Sequence, residues 1–329
     1  MATTEQAPDL ERRVLRLPAR DIPIPTSVSP EAQATMAMPP MPSPAQPAPK
    51  DRDGWRAMVA AQDAAIAQML GGRVADAAVV TTELDVGAHV YEIVPTDLPD
   101  GDRRVYLDVH GGAFVFGAGE CCRVMSVGAA IRYGARVWSV DYRMPPDHPF
   151  PAGLDDCLAA YRALLADHDP AAIIVGGGSA GGNLAASLVL RARDEGLPMP
   201  AAVVLMTPAV DLTASGDSLQ TNLGLDPLLP GGATPTFGMY AGDAALTDPY
   251  VSPLYGDFAP GFPPTILTTG TRDRLLSDTV RMHRALRNAG IPADLHVTEA
   301  AGHGGFLGMA PEDAEIEREL RHFAESHWP

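Results

Sequence analysis

Cysteine is scarce in this chain, and so is positive charge. The three cysteines, Cys121, Cys122 and Cys157, include an adjacent pair and form no spaced framework, so we predict no disulfides and a reducing compartment. The 329 residues carry 41 acidic against 24 basic side chains, a formal charge of −17 that repels phosphate backbones. This balance argues against nucleic acid as a partner.

Long apolar runs are missing as well. Residues 1–17 contain acids and arginines where a secretory signal needs an apolar core, and no run approaches membrane-spanning length. We therefore predict a cytoplasmic protein without membrane insertion. There is also no H-E-x-x-H pattern and no closely spaced Cys/His set, so no metal is expected.

Residues 1–78 are predicted to form an N-terminal cap region. Residues 9–17 have the spacing of a short amphipathic helix. The ten prolines in residues 18–49 exclude regular helix or strand there, and the apolar residues among them favour a segment that wraps the body or lines a cleft. A helix is predicted over residues 53–70, ending at Gly71-Gly72.

Residues 79–329 alternate strand-like and helix-like patterns, which predicts an α/β catalytic domain. The predicted strands are 79–86, 89–94, 104–109, 136–141, 171–175, 201–206, 265–269 and 293–298. The predicted helices are 123–133, 154–165, 184–195, 278–288 and 312–326. The alternation implies an eight-stranded, mostly parallel sheet flanked by helices. Residues 212–262, between the sixth and seventh strands, are long enough to contribute a second cap segment.

The apolar run at residues 173–175 breaks into small residues around Ser179. Between a strand and a helix, the pattern G-x-S-x-G over residues 177–181 describes a strained turn that presents a nucleophilic serine. The same letters contain G-x-G-x-x-G from Gly176 to Gly181, the fingerprint of dinucleotide binding. This stretch alone leaves a hydrolase and a dinucleotide-dependent enzyme both open.

Residues directly after the other strands help to distinguish a hydrolase from a dinucleotide-dependent enzyme, because ligands bind at the carboxyl ends of parallel strands. His110 follows the third strand and precedes a small-residue loop whose amides can converge on an oxyanion: Gly111, Gly112 and Ala113. The amide of Ala180 is the further donor expected. Asp273 follows the seventh strand and His303 the eighth, so the order serine, acid, histidine is that of an α/β-hydrolase.

Two alternatives at these positions are less favoured. Asp278 competes with Asp273 for the role of the acid, but it follows Ser277, a plausible N-cap, and the helix dipole is enough to explain it. A dinucleotide site needs an acid about twenty residues after its glycines, and the first acid after the next strand here is Asp211. No cofactor is therefore expected.

The chain resembles the hormone-sensitive-lipase-like α/β-hydrolases, the bacterial family IV esterases, over residues 80–329. The resemblance lies in VHGGAF at 109–114, DYRMPPDHPFP at 141–151, GSAGGN at 178–183 and DPYVSP at 248–253, with Asp273 and His303. It implies the α/β-hydrolase fold with an N-terminal cap, and Ser179 as nucleophile, His303 as base and acid, and Asp273 as its orienter. It also implies an oxyanion hole formed by the amide of Ala180 with those of Gly111, Gly112 or Ala113, of which the family motif favours the last two.

The chain departs from the family pattern at four places. Ala113 replaces a glycine of the oxyanion loop, and Gly178 stands where an Asp or Thr is common. The acid motif has one more residue between Asp273 and Asp278 than is common in the family. The proline-rich insert also places the helices of the N-terminal cap further apart than in the family.

Together these features predict a serine carboxylesterase that acts through an acyl-enzyme on short- to medium-chain or compact cyclic esters. An apolar entrance is expected from residues 22–49 and from Phe237, Met239 and Tyr240. The alternative is a lipase-like activity, or lactone or amide hydrolysis, on the same triad. A non-catalytic receptor is less favoured, because all three triad residues are present. The expected partner is a small-molecule ester, and the chain is compatible with a homodimer.

Overall fold

The structure is a computed structural model that describes residues 18–39, 46–48, 50–74, 77–229, 231, 234–259 and 261–329. The helix predicted over residues 9–17 lies outside the described residues. No helix in the described part of the chain is long and apolar enough to cross a membrane.

The centre of the molecule is one eight-stranded sheet, which confirms the predicted architecture. Its strands are β1 (Val79–Asp85), β2 (His89–Pro95), β3 (Val105–Val109), β4 (Arg136–Val140), β5 (Ile173–Gly178), β6 (Ala202–Met206), β7 (Thr265–Gly270) and β8 (Ala293–Thr298). They lie in the order β1-β2-β4-β3-β5-β6-β7-β8. β1 with β2 and β2 with β4 are antiparallel, and all other neighbours are parallel.

Helices cover both faces of the sheet. In the described residues they are α1 (Pro30–Met36), α2 (Arg52–Val74), α3 (Glu120–Tyr133), α4 (Ala152–Asp167), α5 (Ala180–Asp194), α6 (Ser218–Thr221), α7 (Thr234–Ala241), α8 (Leu276–Asn288) and α9 (Pro311–His327). Buried side chains of α4, α5 and α8 form the core on one face, and those of α3 and α9 form the core on the other. The central strands are covered on both faces by these helices. Their side chains are almost continuously apolar, as expected for strands of this kind.

The prediction that the proline-rich segment excludes helix is wrong at α1. Pro30 occupies the first helical position, where its missing N–H is not needed, and the Ser29 side chain caps the helix by accepting from Ala32 N at 3.1 Å. Val28 and Ala32 then pack against an apolar cluster on the chain that follows β8: Ala300, Ala301, Phe306 and Ala310. Part of the proline-rich segment thus lies against the loop that carries His303.

The end of α2 and the start of α5 also differ from those expected. α2 continues through Gly71 and Gly72 to Val74, and a Cβ at either glycine would meet open space. α5 begins at Ala180, directly after the serine and four residues before the predicted start at residue 184. Small residues can continue a helix where they pack closely, and Gly181 and Gly182 do so here.

α2 lies over the loop that follows β3. Asp63 on this helix accepts hydrogen bonds from Gly117 N at 2.7 Å and Ala118 N at 3.3 Å. Near the start of the helix, Arg52 and Arg56 pair with Asp147 at 3.0 and 2.6 Å. These contacts connect the N-terminal region to the body beside the predicted site.

Candidate active site

Ser179 occupies a strained turn between β5 and α5. Its φ of 56° and ψ of −119° are unusual for a residue with a side chain. The end of β6 and the chain after it hold the turn, since Ser179 N donates to Met206 O at 2.8 Å and Ala209 N donates to Ser179 O at 3.0 Å. These backbone bonds support the turn beside Gly178, where the family often has a polar side chain.

The glycines around Ser179 are needed for close packing against β3. A Cβ on Gly177 would lie 2.4 Å from Val109 O, and one on Gly181 would lie 1.9 Å from the same atom. A Cβ on Gly176 would lie 2.1 Å from the Tyr106 hydroxyl. Close neighbours within the chain therefore explain Gly176 and Gly181, two of the three glycines of the G-x-G-x-x-G pattern.

Asp273 lies fully buried just after β7. Its Oδ1 accepts from Leu275 N at 2.8 Å and lies 3.1 Å from His303 Nδ1, while its Oδ2 accepts from the Thr269 hydroxyl at 2.8 Å. A carboxylate that accepts from an imidazole N–H orients the ring and fixes its tautomer. The structure thus brings together two of the three predicted triad residues through a direct hydrogen bond.

His303 lies in the loop after β8 and is only 6% exposed. Burial by itself would lower the pKa of His303, but the charge and hydrogen bond of Asp273, together with the charge of Asp226, raise it above its usual value. With Nδ1 donating to Asp273, Nε2 is the nitrogen left to exchange a proton with a substrate or a serine.

Asp226 joins the loops around His303, although the sequence analysis did not single it out. Its Oδ2 accepts from His303 N at 3.2 Å and Arg274 N at 3.1 Å. Its Oδ1 accepts from Leu228 N at 3.0 Å and Leu229 N at 3.1 Å. This buried carboxylate therefore ties the 212–262 segment to both loops. An aspartate before a proline reads only as a turn signal, so the sequence did not reveal this role.

The predicted oxyanion loop lies beside the Ser179 turn. A Cβ on Gly111 would be 3.5 Å from Ser179 Cβ, while Gly112 and Ala113 have positive φ values of 126° and 52°. Among the described residues, the amides of Gly112 and Ala113 find no backbone or side-chain acceptor. Ala180 begins α5, and the first amides of a helix have no intrahelical acceptor. These amides are available as donors.

A cavity of about 920 Å³ connects these parts. Ser179 and His303 line it together with Gly111, Gly112 and Ala113. Its apolar walls come from α2, α3, α9 and the 212–262 segment: Met58, Ile66, Met125, Leu228, Leu229, Ile316 and Leu320. The arrangement brings a hydroxyl, an imidazole and free amides to one apolar cavity, as acyl transfer requires.

Comparison with known proteins agrees with the fold. Residues 106–307 match the model of a family described by the alpha/beta hydrolase fold. An esterase of Acinetobacter venetianus is 36% identical over 196 residues, which are 57% of this chain and 63% of that protein, so the match spans less than two thirds of that relative.

Solved structures of esterases cover more of the chain. The crystal structure of an esterase E25 has a TM-score of 0.89 at 36% identity, covering 96% of this chain and 99% of that one. An esterase from the bacterial hormone-sensitive lipase family has a TM-score of 0.78 at 32% identity, covering 92% and 99%. The chain belongs to the hormone-sensitive-lipase-like family of α/β-hydrolases.

In this α/β-hydrolase, two aromatic residues expected at the entrance are instead buried in the core. The ring of Tyr240 stacks on that of Phe114 with centroids 4.1 Å apart, and Phe237 meets the same ring edge-on at 6.2 Å. Of the described residues within 22–49, Gln46 is the one that lines the cavity. The apolar walls come mainly from methionine, leucine and isoleucine on other elements.

Ser277 of the hydrolase differs from the expected N-cap, whereas Asp278 lies in the first turn of α8 as expected. α8 begins at Leu276, so Ser277 lies within the helix, and its hydroxyl accepts from Ser218 N at 2.9 Å. Asp278 is buried and accepts from Asp211 N at 3.0 Å. Both residues connect α8 to the start of the 212–262 segment, and neither contacts His303 in the described hydrogen bonds.

Proposed function

We propose that this protein is a serine carboxylesterase in which Ser179, His303 and Asp273 form the catalytic triad. The observation that carries the proposal is the shared cavity. The strained turn of Ser179, the His303 ring held by Asp273 at 3.1 Å and the free amides of the oxyanion loop all border it. The esterase names of the relatives support the same class of reaction.

In the first half of the proposed reaction, Ser179 Oγ attacks the ester carbonyl while its proton passes to His303 Nε2. The carbonyl oxygen becomes an oxyanion, which the amides of Ala180 and of the loop at Gly112 and Ala113 stabilise by hydrogen bonds. The tetrahedral intermediate then collapses and the C–O bond to the alcohol breaks. His303 gives its proton to the departing alcohol, leaving an acyl ester on Ser179.

In the second half, water takes the place of the alcohol. His303 accepts a proton from the water, whose oxygen attacks the acyl carbonyl, and the same amides stabilise the second oxyanion. Collapse breaks the bond to Ser179 Oγ, which recovers the proton from His303. Asp273 keeps its hydrogen bond to His303 Nδ1 and stabilises the imidazolium formed in each half.

We further propose short- to medium-chain or compact cyclic esters as substrates, with α2 and the 212–262 segment as the cap over the cavity. The volume of about 920 Å³ is large enough for esters of this size, and the mainly apolar walls suit a hydrocarbon acyl group. Met58 and Ile66 of α2, with Leu228 and Leu229 of the 212–262 segment, supply cap contacts to the substrate.

The triad can be tested with a fluorophosphonate probe, which forms a covalent adduct with an activated serine. We expect one adduct on Ser179 in the folded wild type, and none in Ser179→Ala or after heat denaturation. Ser187, a buried serine on α5, provides a matched control because Ser187→Ala should label like the wild type. A folded wild type that is not labelled would exclude the esterase proposal.

The substrate class can be tested with nitrophenyl esters of increasing acyl length, using Ser179→Ala as the blank. While the chain lengthens within the cavity, each buried CH₂ contributes about 0.8 kcal/mol, or roughly a fourfold gain in kcat/KM. We expect the gain to stop at short to medium lengths. A gain that continues beyond about ten carbons, or a jump in rate above substrate solubility, would favour a lipase-like enzyme instead.

A further inference from the structure

Three potential metal ligands converge beneath the oxyanion loop. His110 follows β3, Cys122 lies in the first turn of α3 and Asp141 follows β4. One ligand atom of each lies within 4.8 Å of the others. His110 and Cys122 are buried, and Asp141 is partly exposed. The three lie 12 and 19 residues apart in sequence, so no metal-binding spacing reveals them.

One ring nitrogen of His110 is bonded to the backbone, and the other keeps a lone pair that is free to bind a ligand. Its Nδ1 lies 2.8 Å from Gly111 O, and because a carbonyl only accepts, Nδ1 carries the proton. Nε2 is therefore an acceptor, and it is buried without a hydrogen-bond partner in the described part of the chain. Stacking on Tyr142 at 4.2 Å fixes the ring plane. A metal-binding histidine typically has this arrangement, with its other N–H donated to a carbonyl.

Cys122 and Asp141 supply the complementary chemistry. Cys122 Sγ is buried and lies 3.3 Å from the Ser139 hydroxyl. Asp141 accepts from Gly119 N at 3.0 and 3.1 Å and lies 3.2 Å from His89 Nδ1. A thiolate, an imidazole and a carboxylate are the ligands that zinc prefers.

We propose that His110 Nε2, Cys122 Sγ and a carboxylate oxygen of Asp141 bind a zinc-like divalent cation, with water as the fourth ligand. On binding, the Cys122 thiol releases its proton to solvent and the thiolate bonds to the cation, with no change of oxidation state. Ligand bonds of about 2.0–2.3 Å place ligand atoms about 3.5 Å apart, so the groups must close by about 1 Å. The bound cation cross-links β3, α3 and β4 under the loop of Gly111. This site is independent of the proposed esterase reaction.

Cobalt(II) is the probe for this proposal, because a thiolate bound to Co²⁺ gives a charge-transfer absorption that histidine and carboxylate ligands do not give. The full-length protein is first freed of metal with a chelator and then titrated with Co²⁺. We expect a charge-transfer band that saturates at one equivalent and disappears when Zn²⁺ is added. Calorimetry with Zn²⁺ should give the same stoichiometry.

Variants identify the ligands. Cys122→Ser should abolish the band, and Asp141→Asn should weaken Co²⁺ binding at least tenfold. Cys157→Ser is the matched control, since Cys157 is equally buried but lies on α4, away from the cluster. Cys121→Ser tests the adjacent thiol, and both control variants should keep the band.

A wild type without a thiolate band would overturn the proposal, and so would a band that survives in folded Cys122→Ser. Near-ultraviolet circular dichroism verifies folding of each variant. If Cys122→Ser fails to fold, the two control variants decide. A wild-type band that both of them keep leaves Cys122 as the source of the thiolate, and loss of the band in either would overturn that assignment.

Discussion

Ser179 has a backbone conformation that costs a residue with a side chain about 1–3 kcal/mol. The surrounding contacts supply that energy. β3 approaches the turn so closely that only glycine fits at positions 177 and 181, and the end of β6 accepts the Ser179 amide at 2.8 Å. Gly178 is different, because a Cβ built there has its nearest neighbour, Met206 O, at 3.7 Å.

Gly178→Ala is therefore expected to raise the free energy of unfolding by about 0.4–1 kcal/mol, since alanine reduces the entropy of the unfolded chain without a clash. Gly177→Ala, one residue away, should lower the free energy of unfolding by about 1–3 kcal/mol, because its Cβ would overlap Val109 O. Denaturant unfolding of both variants measures the difference. Equal destabilisation of the two would contradict the packing argument.

Asp226→Asn is expected to move the acid limb of kcat/KM to lower pH. The proposed mechanism needs neutral His303, so activity appears as the pH rises through the pKa of this histidine. Asp226 contributes to raising that pKa, and removing its charge lowers it. The variant should also lose about 1–3 kcal/mol of stability, because a charged acceptor of four backbone amides is lost.

The measurement is a pH–rate profile with a soluble nitrophenyl ester. Asp217→Asn is the control, as Asp217 is exposed in the same segment. Asp217→Asn should have the same acid limb as the wild type. If Asp226→Asn also has that acid limb, Asp226 does not act on His303 by its charge.

At the scale of elements, the 212–262 segment depends on Arg274 as well as on Asp226. The buried guanidinium of Arg274 donates to Leu219 O at 2.8 and 3.2 Å, to Leu229 O at 3.1 Å and to Gly231 O. A single side chain from the loop after β7 therefore satisfies carbonyls along the segment that walls the cavity.

Arg274→Met should lower the free energy of unfolding by roughly 2–5 kcal/mol, because several buried carbonyls lose their donors. KM should rise more than kcat falls, since Leu228 and Leu229 contact the substrate rather than the reacting atoms in the proposed complex. Ester kinetics and thermal unfolding test this prediction. The control is Arg284→Met, a change at an exposed arginine of α8, and equal effects of the two substitutions would refute it.

At the scale of the whole molecule, Asp278 links stability to pH. Burial raises the pKa of Asp278 to about 7, opposed by the hydrogen bond from Asp211 N and reinforced by the charge of Asp211. The folded-state pKa thus lies above the unfolded one. The contribution of Asp278 to stability is greatest at low pH and is lost as the pH rises through about 7.

Asp278→Asn is expected to remove this dependence. Asparagine keeps an acceptor for Asp211 N but bears no charge, so the variant should be more stable than the wild type above pH 7, by an amount that shrinks towards pH 5. Thermal unfolding over that pH range measures it. Asp294→Asn, at an exposed position of β8, should change little. A constant difference between Asp278→Asn and wild type at every pH would argue against the raised pKa.

The order of elements and the triad candidates could be read from local patterns. Buried parallel strands are continuously apolar, and the residues that follow them meet at one sheet edge, so Ser179, Asp273 and His303 were found from their positions after β5, β7 and β8. The predicted start of α5 is too late, because the small residues at 180–183 give no periodic apolar signal. Gly181, which packs against β3, is one of them.

Sequence by itself therefore determined the fold and the three triad candidates of this protein, because each depends on residues close together in the chain. Tertiary structure decided what depends on distant contacts: Asp226 beneath His303, the burial of Phe237 and Tyr240, and the meeting of His110, Cys122 and Asp141. Those side chains have no local pattern, since their partners lie on strands and loops that only the folded sheet brings together.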